Sequence, residues 1–176
     1  LGCQRNIAKS PLWTRRVSRD WSDAVLDYIG LKGEWAASHK LDKLGILKTP
    51  FDQGIYISGD GGFDLELIDG RRAAVKFNHR NGGFLMFERK GDFPPKADLA
   101  ILVYGRCNPP GKCHCYKINT HEVVTIAGWI TRAKFWDEKN PPYESNWGLG
   151  PRWWKPPRCL DGLDLLVESV KENMGG

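Results

Sequence analysis

From Ser22 onward the apolar positions Val25, Leu26 and Ile29 recur at helical spacing, which predicts a helix that Gly30 and Gly33 interrupt. A second helix is expected from Gly33 to about Leu44, with Trp35, Leu41 and Leu44 as its buried side, and Thr49-Pro50 breaks the pattern. The period then falls to two. Strands are expected at 54–58, 63–68, 72–77 and 83–87, and the second and third of these are joined at Asp69-Gly70, a pair that favours a hairpin turn. Residues 99–104 read LAILVY, a continuous apolar run that suits a strand buried on both faces of a mixed sheet. Residues 116–118 and 122–126 continue the ladder. A helix is expected at 129–138, with Thr131 as its candidate N-cap. Prolines at 141, 142, 151, 156 and 157 make 140–158 a loop or an extended Pro/Trp-rich arm. Leu160, Leu163, Leu166, Val167 and Val170 mark a C-terminal amphipathic helix. These elements make one α/β domain with a mixed sheet over 1–176, preceded by an irregular basic segment at 1–20. No internal repeat and no linker divides it.

Composition narrows the class. With 41% hydrophobic and 27% charged residues in a chain of 176, the composition is that of a globular domain and not of a disordered segment. No apolar run approaches the ~18 residues of a membrane span, so no membrane partner is expected. The opening residues carry no charged stretch followed by an apolar one, so no signal peptide is expected. The net charge of +5 favours a polyanionic partner only weakly. Its basic residues cluster at Arg15, Arg16 and Arg19, at Arg71, Arg72, Lys76, His79 and Arg80, and at Arg152, Lys155 and Arg158. Solvated faces explain each cluster as readily. Five cysteines, an odd number at irregular spacing, argue against a disulfide framework. Cys107, Cys113 and Cys115 with His114 could hold zinc in a small interaction module, but CNPPGKCHC lacks the second, well-separated pair that such sites use. A hairpin tip with free thiols is the plainer reading.

The most informative stretch is 59–77, GDGGFDLELIDGRRAAVKF. By alternation Phe63, Leu65 and Leu67 share one face of the first strand, and Asp64 and Glu66 the other. On the second strand Ala73, Val75 and Phe77 form the apolar face, and Arg72, Ala74 and Lys76 the polar one. A two-residue turn at Asp69-Gly70 would set Asp64 opposite Val75, placing a carboxylate among apolar residues, so that register is excluded for a dry core. A three-residue turn, or a bulge at or near 69–71, sets Asp64 opposite Lys76 and Leu65 opposite Val75, and this is the expected register. Asp64, Glu66 and Lys76 then converge on one side of the hairpin. A surface ion pair explains that convergence on its own. The glycines at 59, 61 and 62, which let a substrate approach the backbone, and the buried strand downstream favour a site.

This run resembles the core hairpin of the PD-(D/E)XK nucleases. In that motif an Asp opens the first strand, and the second carries Asp or Glu, any residue, then Lys. Asp64 matches the first position and Lys76 the last. Glu34 in LKGEWAA resembles the upstream helical Glu of the family. ADLAILVYG and then VVTIAGWITRAKF resemble the later strands and helix of a prokaryotic and phage branch. The resemblance spans residues 30–170 and implies a restriction-endonuclease-like core, a central mixed sheet flanked by helices, in the cytoplasm of a prokaryotic or phage-infected cell. It implies a metal-dependent endonuclease that hydrolyses phosphodiester bonds of nucleic acid, with DNA the favoured substrate. Such hydrolysis uses Mg²⁺ or Mn²⁺ to polarise the phosphate and generate hydroxide. The resemblance assigns the metal to Asp64, Glu34 and the backbone carbonyl of Val75, and assigns Lys76 to the attacking water and the charge of the transition state. Arg72, His79 and Arg80 are the candidate phosphate contacts, and Glu66 is a surface or supporting residue.

Two departures stand out. Ala74 occupies the catalytic position of the middle acid and can bind no metal, either as a natural loss or as an inactivating substitution, which the intact neighbouring positions favour. No helix is evident between the hairpin and LAILVY. The expectation is therefore an endonuclease inactivated at position 74. The alternatives are a catalytically silent nuclease-fold domain that binds nucleic acid or protein, and the zinc module. Trp147, Trp153 and Trp154 could stack on unpaired bases, although packing is the commoner use of such residues. Cleavage of duplex by sites that each cut one strand would fit a homodimer.

Overall fold

The structure is a computed structural model that describes residues 23–49, 63–78, 83–87, 96–107, 121–146 and 151–175, and the side chains at 23–29, 106, 107, 121–123 and 146 fall outside that description. The expected segment 1–20, the strands at 54–58 and 116–118, the glycines at 59, 61 and 62, His79, Arg80, Cys113, His114, Cys115 and Trp147 lie outside the described residues.

In chain order the elements are α1 (Asp23–Lys43), β1 (Leu65–Glu66), β2 (Arg72–Asn78), β3 (Leu85–Phe87), β4 (Leu99–Cys107), β5 (His121–Thr131), α2 (Arg132–Phe135), β6 (Tyr143–Asn146), β7 (Pro151–Lys155), a 3₁₀ turn (Pro157–Cys159) and α3 (Leu163–Gly175). The fold is mixed α+β. Four strands form a mixed sheet in the order β1-β2-β4-β5, with β2 and β4 parallel and the outer pairs antiparallel. A second, three-stranded antiparallel sheet has the order β3-β7-β6.

The four-stranded sheet is covered on both sides. On one face Ala73, Val75, Leu99, Ile101 and Val103 pack with Ala37 and Leu41 of α1 and with Leu166 and Val170 of α3. On the other, Ala74, Ala100, Leu102 and Tyr104 pack with Leu85 and Phe87 of β3 and with Phe135 of α2. The strand at the centre therefore reads LAILVY because every residue of it is buried, whichever way it points. Each Leu, Ile or Phe fully removed from water contributes about 1.5–3 kcal/mol, so these two clusters are what fixes the hairpin between them.

Four expectations are corrected. First, α1 is one continuous helix through Gly30 and Gly33. Gly33 does not break it, because its role is close packing: a Cβ there would lie 2.8 Å from Cβ of Phe77. Second, Leu41 is buried as expected, but Trp35 is 54% exposed and stacks on His39. Third, the helix expected at 129–138 is a single turn, Arg132–Phe135, since Trp129, Ile130 and Thr131 pair with β4. Thr131 does cap it, its hydroxyl accepting from the Lys134 N–H at 3.1 Å. Fourth, the Pro/Trp-rich arm holds two strands among its described residues, β6 and β7, where a loop was the other expectation. Pro151 opens β7, where a residue without an N–H is tolerated, and Trp153 faces the second cluster.

Candidate nucleic-acid site

The hairpin turns at Ile68-Asp69-Gly70. The Leu67 N–H donates to the Arg71 carbonyl at 2.9 Å and the Gly70 N–H to the Leu67 carbonyl at 3.0 Å. Gly70 takes φ +84°, where only a residue without Cβ sits unstrained. The Arg71 guanidinium bonds Asp69 at 2.6 Å and Ser169 of α3 at 3.0 Å, so the tip is tied to the C-terminal helix. Arg71 is thereby a brace and not part of a free basic cluster.

This turn, one residue earlier than the expected one, sets Leu65 opposite Ala73 and Glu66 opposite Arg72. The expected pairing of Leu65 with Val75 is thus wrong by two residues. A second irregularity sits at Asp64. Its N–H also donates to the Ala73 carbonyl, at 2.9 Å, so two successive residues meet one partner, which is the geometry of a bulge. Alternation slips there. Leu65 and Leu67 join the cluster of Ala73 and Val75, whereas Phe63 joins that of Ala74. The Asp64 side chain turns toward the edge of β2, and its Oδ2 accepts the Val75 N–H at 2.6 Å. Val75 shows its N–H and C=O on the same side of the strand, so its carbonyl also faces the Asp64 edge.

Lys76 projects from the opposite side of β2 to Val75 and Phe77, with Nζ 5.9 Å from the centre of the Phe87 ring. Among the described residues it forms no ion pair, and Glu66 is paired with Lys48 instead, at 2.7 Å. The surface ion pair that would have explained Lys76 is therefore not formed among these residues. Arg72 is exposed, its guanidinium 4.9 Å from the centre of the Phe63 ring and its backbone N–H held by Asp98 at 2.8 Å. Glu34 is half-buried on α1, the helix that packs on Phe77 through Gly33.

Ala74 overturns an expectation about its surroundings. It does not lie on a polar, solvated face. It is 1% exposed and packed with Leu85, Phe87, Ala100 and Leu102, because β3, β7 and α2 roof the side that alternation alone assigns to solvent.

A hard divalent ion takes about six oxygen ligands, usually with one or two carboxylates among them. Here one carboxylate, Asp64, already bonds a backbone N–H, position 74 offers no oxygen, and a lysine follows two residues on. Among the described residues no group of three His, Cys, Asp or Glu stands together as a metal site. The described residues of this corner do not by themselves fit a resident Mg²⁺ or Mn²⁺.

Two further residues shape this corner and were not legible as such. The Tyr104 hydroxyl donates to the Gly83 carbonyl at 2.6 Å, and the Asn78 amide to the Phe84 carbonyl at 3.4 Å. Together they fasten the entry to β3 beside the end of β2. Burial pushes the Tyr104 phenol above its ordinary value. No protein family, curated protein or solved structure matches the chain. No helix among the described residues is long and apolar enough to cross a membrane.

Proposed function

We propose that the chain is a nucleic-acid-binding domain of the PD-(D/E)XK nuclease type, whose phosphodiesterase site lacks its middle acid and which holds the phosphate backbone without cutting it. The observation that carries the reading is the corner at the end of the hairpin. Asp64 meets Val75 directly, Ala74 and Lys76 flank Val75, and Lys76 is left without a carboxylate partner among the described residues. A mixed sheet flanked by helices and an upstream helix bearing Glu34 agree with what the resemblance implies. The metal chemistry of such nucleases polarises phosphate and activates water. The residues here supply the remainder: a cation at Lys76, exposed Arg72, and a backbone edge held in place by Asp64. A chain of net charge +5 with these cations attracts phosphate and loses affinity as salt rises.

The test is fluorescence anisotropy of labelled duplex and single strands across a salt series, with Mg²⁺ present and the recovered strands sized. Salt-sensitive binding with intact strands is the expected result. Absence of binding at low salt to every strand contradicts the reading, as does metal-dependent cleavage by the chain as it stands.

A further inference from the structure

The second sheet carries an aromatic stack on the face turned away from the core. Met86, Trp154 and Tyr143 are cross-strand partners, so they share one face, and Trp153, one residue before Trp154, points to the other. Phe84 stacks on Trp154 with ring centres 4.2 Å apart and planes 29° apart. Trp154 stacks in turn on Tyr143, at 4.6 Å and 24°. The three rings therefore run across the sheet like coins on edge, from β3 over β7 to β6. Among the described residues β6 is the edge strand, and Tyr143 ends the row 48% exposed.

We infer that Tyr143 is a stacking platform for an unpaired nucleobase, which extends the row by one ring. The inference rests on the nucleic-acid reading above and names the part of the strand that this second surface takes. Two features of the face fit a nucleotide. The row offers a flat, half-exposed ring at its end, and every base has a π-face that such a ring can take. Among the described residues, the charged residue that alternation puts on this face is Arg152, paired with Ser145 and with Nη1 3.7 Å from Sδ of Met86, while Glu144 alternates to the other side. A partner that is both aromatic and negatively charged matches a ring beside an arginine. The face belongs to a different sheet from the Asp64–Lys76 corner, so the two surfaces can be altered separately.

The experiment compares labelled oligo(dT) and oligo(dA) single strands with a duplex of the same length. They are titrated by anisotropy against the unaltered chain, Tyr143→Ala and Tyr143→Phe, with melting curves and sedimentation on all three proteins. Tyr143→Ala should weaken single-strand binding roughly 5- to 150-fold, the effect of losing one base-stacking ring. Tyr143→Phe keeps the ring and should bind as the unaltered chain does. Duplex binding should be unchanged in both. Single-strand affinity that survives Tyr143→Ala overturns the inference. So does an equal loss on duplex, where no unpaired base is offered. So does a change in self-association without a change in strand affinity, since a second copy then covers the face. Duplex binding without any single-strand binding overturns this inference and leaves the nucleic-acid reading standing. Absence of binding to either form removes both.

Discussion

Oδ2 of Asp64 lies 2.6 Å from the backbone nitrogen of Val75, so a side chain and not a strand completes the edge of β2 at this point. Among the described residues no strand pairs with Val75–Asn78 on that side. One carboxylate thus anchors the strand that presents positions 74 and 76, which ties the stability of the corner to the residue that the family resemblance makes a metal ligand.

Removing that carboxylate should therefore destabilise the fold as well as any site. A hydrogen bond to a charged group is worth about 1.5–3 kcal/mol, so Asp64→Ala should lower stability by roughly that amount, and Asp64→Asn, which keeps an acceptor, by less. Chemical denaturation read by tryptophan fluorescence checks the order. Equal midpoints for the unaltered chain and Asp64→Ala would mean that the bond does not hold β2.

Gly30 and Gly33 should respond in opposite directions to alanine. At Gly33 the added Cβ lies 2.8 Å from Phe77, so Gly33→Ala overpacks the contact between α1 and β2, an effect of about 1–3 kcal/mol. At Gly30 the nearest atom is Oε1 of Glu34 at 3.9 Å, and Gly30→Ala should stabilise the helix by up to about 1 kcal/mol. Melting temperatures that fall for both, or rise for both, would contradict the continuous helix.

Lys155 belongs to the basic cluster with Arg152 and Arg158 in the sequence, yet it is 2% exposed and donates to the carbonyls of Lys134 at 3.0 Å and Asn140 at 2.6 Å. Burial holds its ammonium below the ordinary 10.5, with Lys134 adding to that shift, and Cys159 and Asp137 opposing it. The unfolded chain then binds more protons than the folded one between the lowered value and 10.5, so the burial penalty shrinks as pH rises through that window. Lys155→Met removes two hydrogen bonds to the Lys134 and Asn140 carbonyls and should cost about 1–3 kcal/mol near neutral pH. Its deficit relative to the unaltered chain should widen toward pH 10. Urea denaturation at a series of pH values reads this, and a deficit that narrows with pH would assign the wrong sign to the burial of Lys155.

The central strand was legible because burial on both faces writes itself as an unbroken apolar run, and α3 because one buried stripe leaves Leu166 and Val170 at helical spacing. The existence of the hairpin was legible from Asp69-Gly70. Its register was not. The bulge at Asp64 arises from a side chain bonding a backbone N–H eleven residues along the chain, and period two carries no mark of that. The burial of Ala74 was hidden for a different reason. Its cover comes from β3 and β7 with Phe135, drawn in part from a segment whose prolines read as a loop, so alternation alone gave position 74 to solvent. Gly33 was misread because a helix interior glycine that serves a tertiary contact looks like a break.

Lys76 should matter to phosphate binding and little to folding, being partly exposed and without an ion pair among the described residues. Lys76→Ala should weaken strand binding similarly for all sequences and reduce the salt slope by about one. Anisotropy titrations at four or more salt concentrations give the slope. An unchanged slope would move the phosphate contact elsewhere.

The most direct measurement restores the acid. Ala74→Asp and Ala74→Glu are compared with the unaltered chain on plasmid, linear duplex and single strands, in Mg²⁺ and in Mn²⁺, with the folded fraction of each protein measured in the same buffers. The buried, apolar surroundings of position 74 should make both variants less stable than the unaltered chain in the absence of metal. Metal-dependent cleavage is expected from at least one of them, none from the unaltered chain, and that cleavage should be lost when Asp64→Asn is added. Folded variants that bind strands and still cut nothing in either metal would contradict a nuclease-type site at Asp64, position 74 and Lys76.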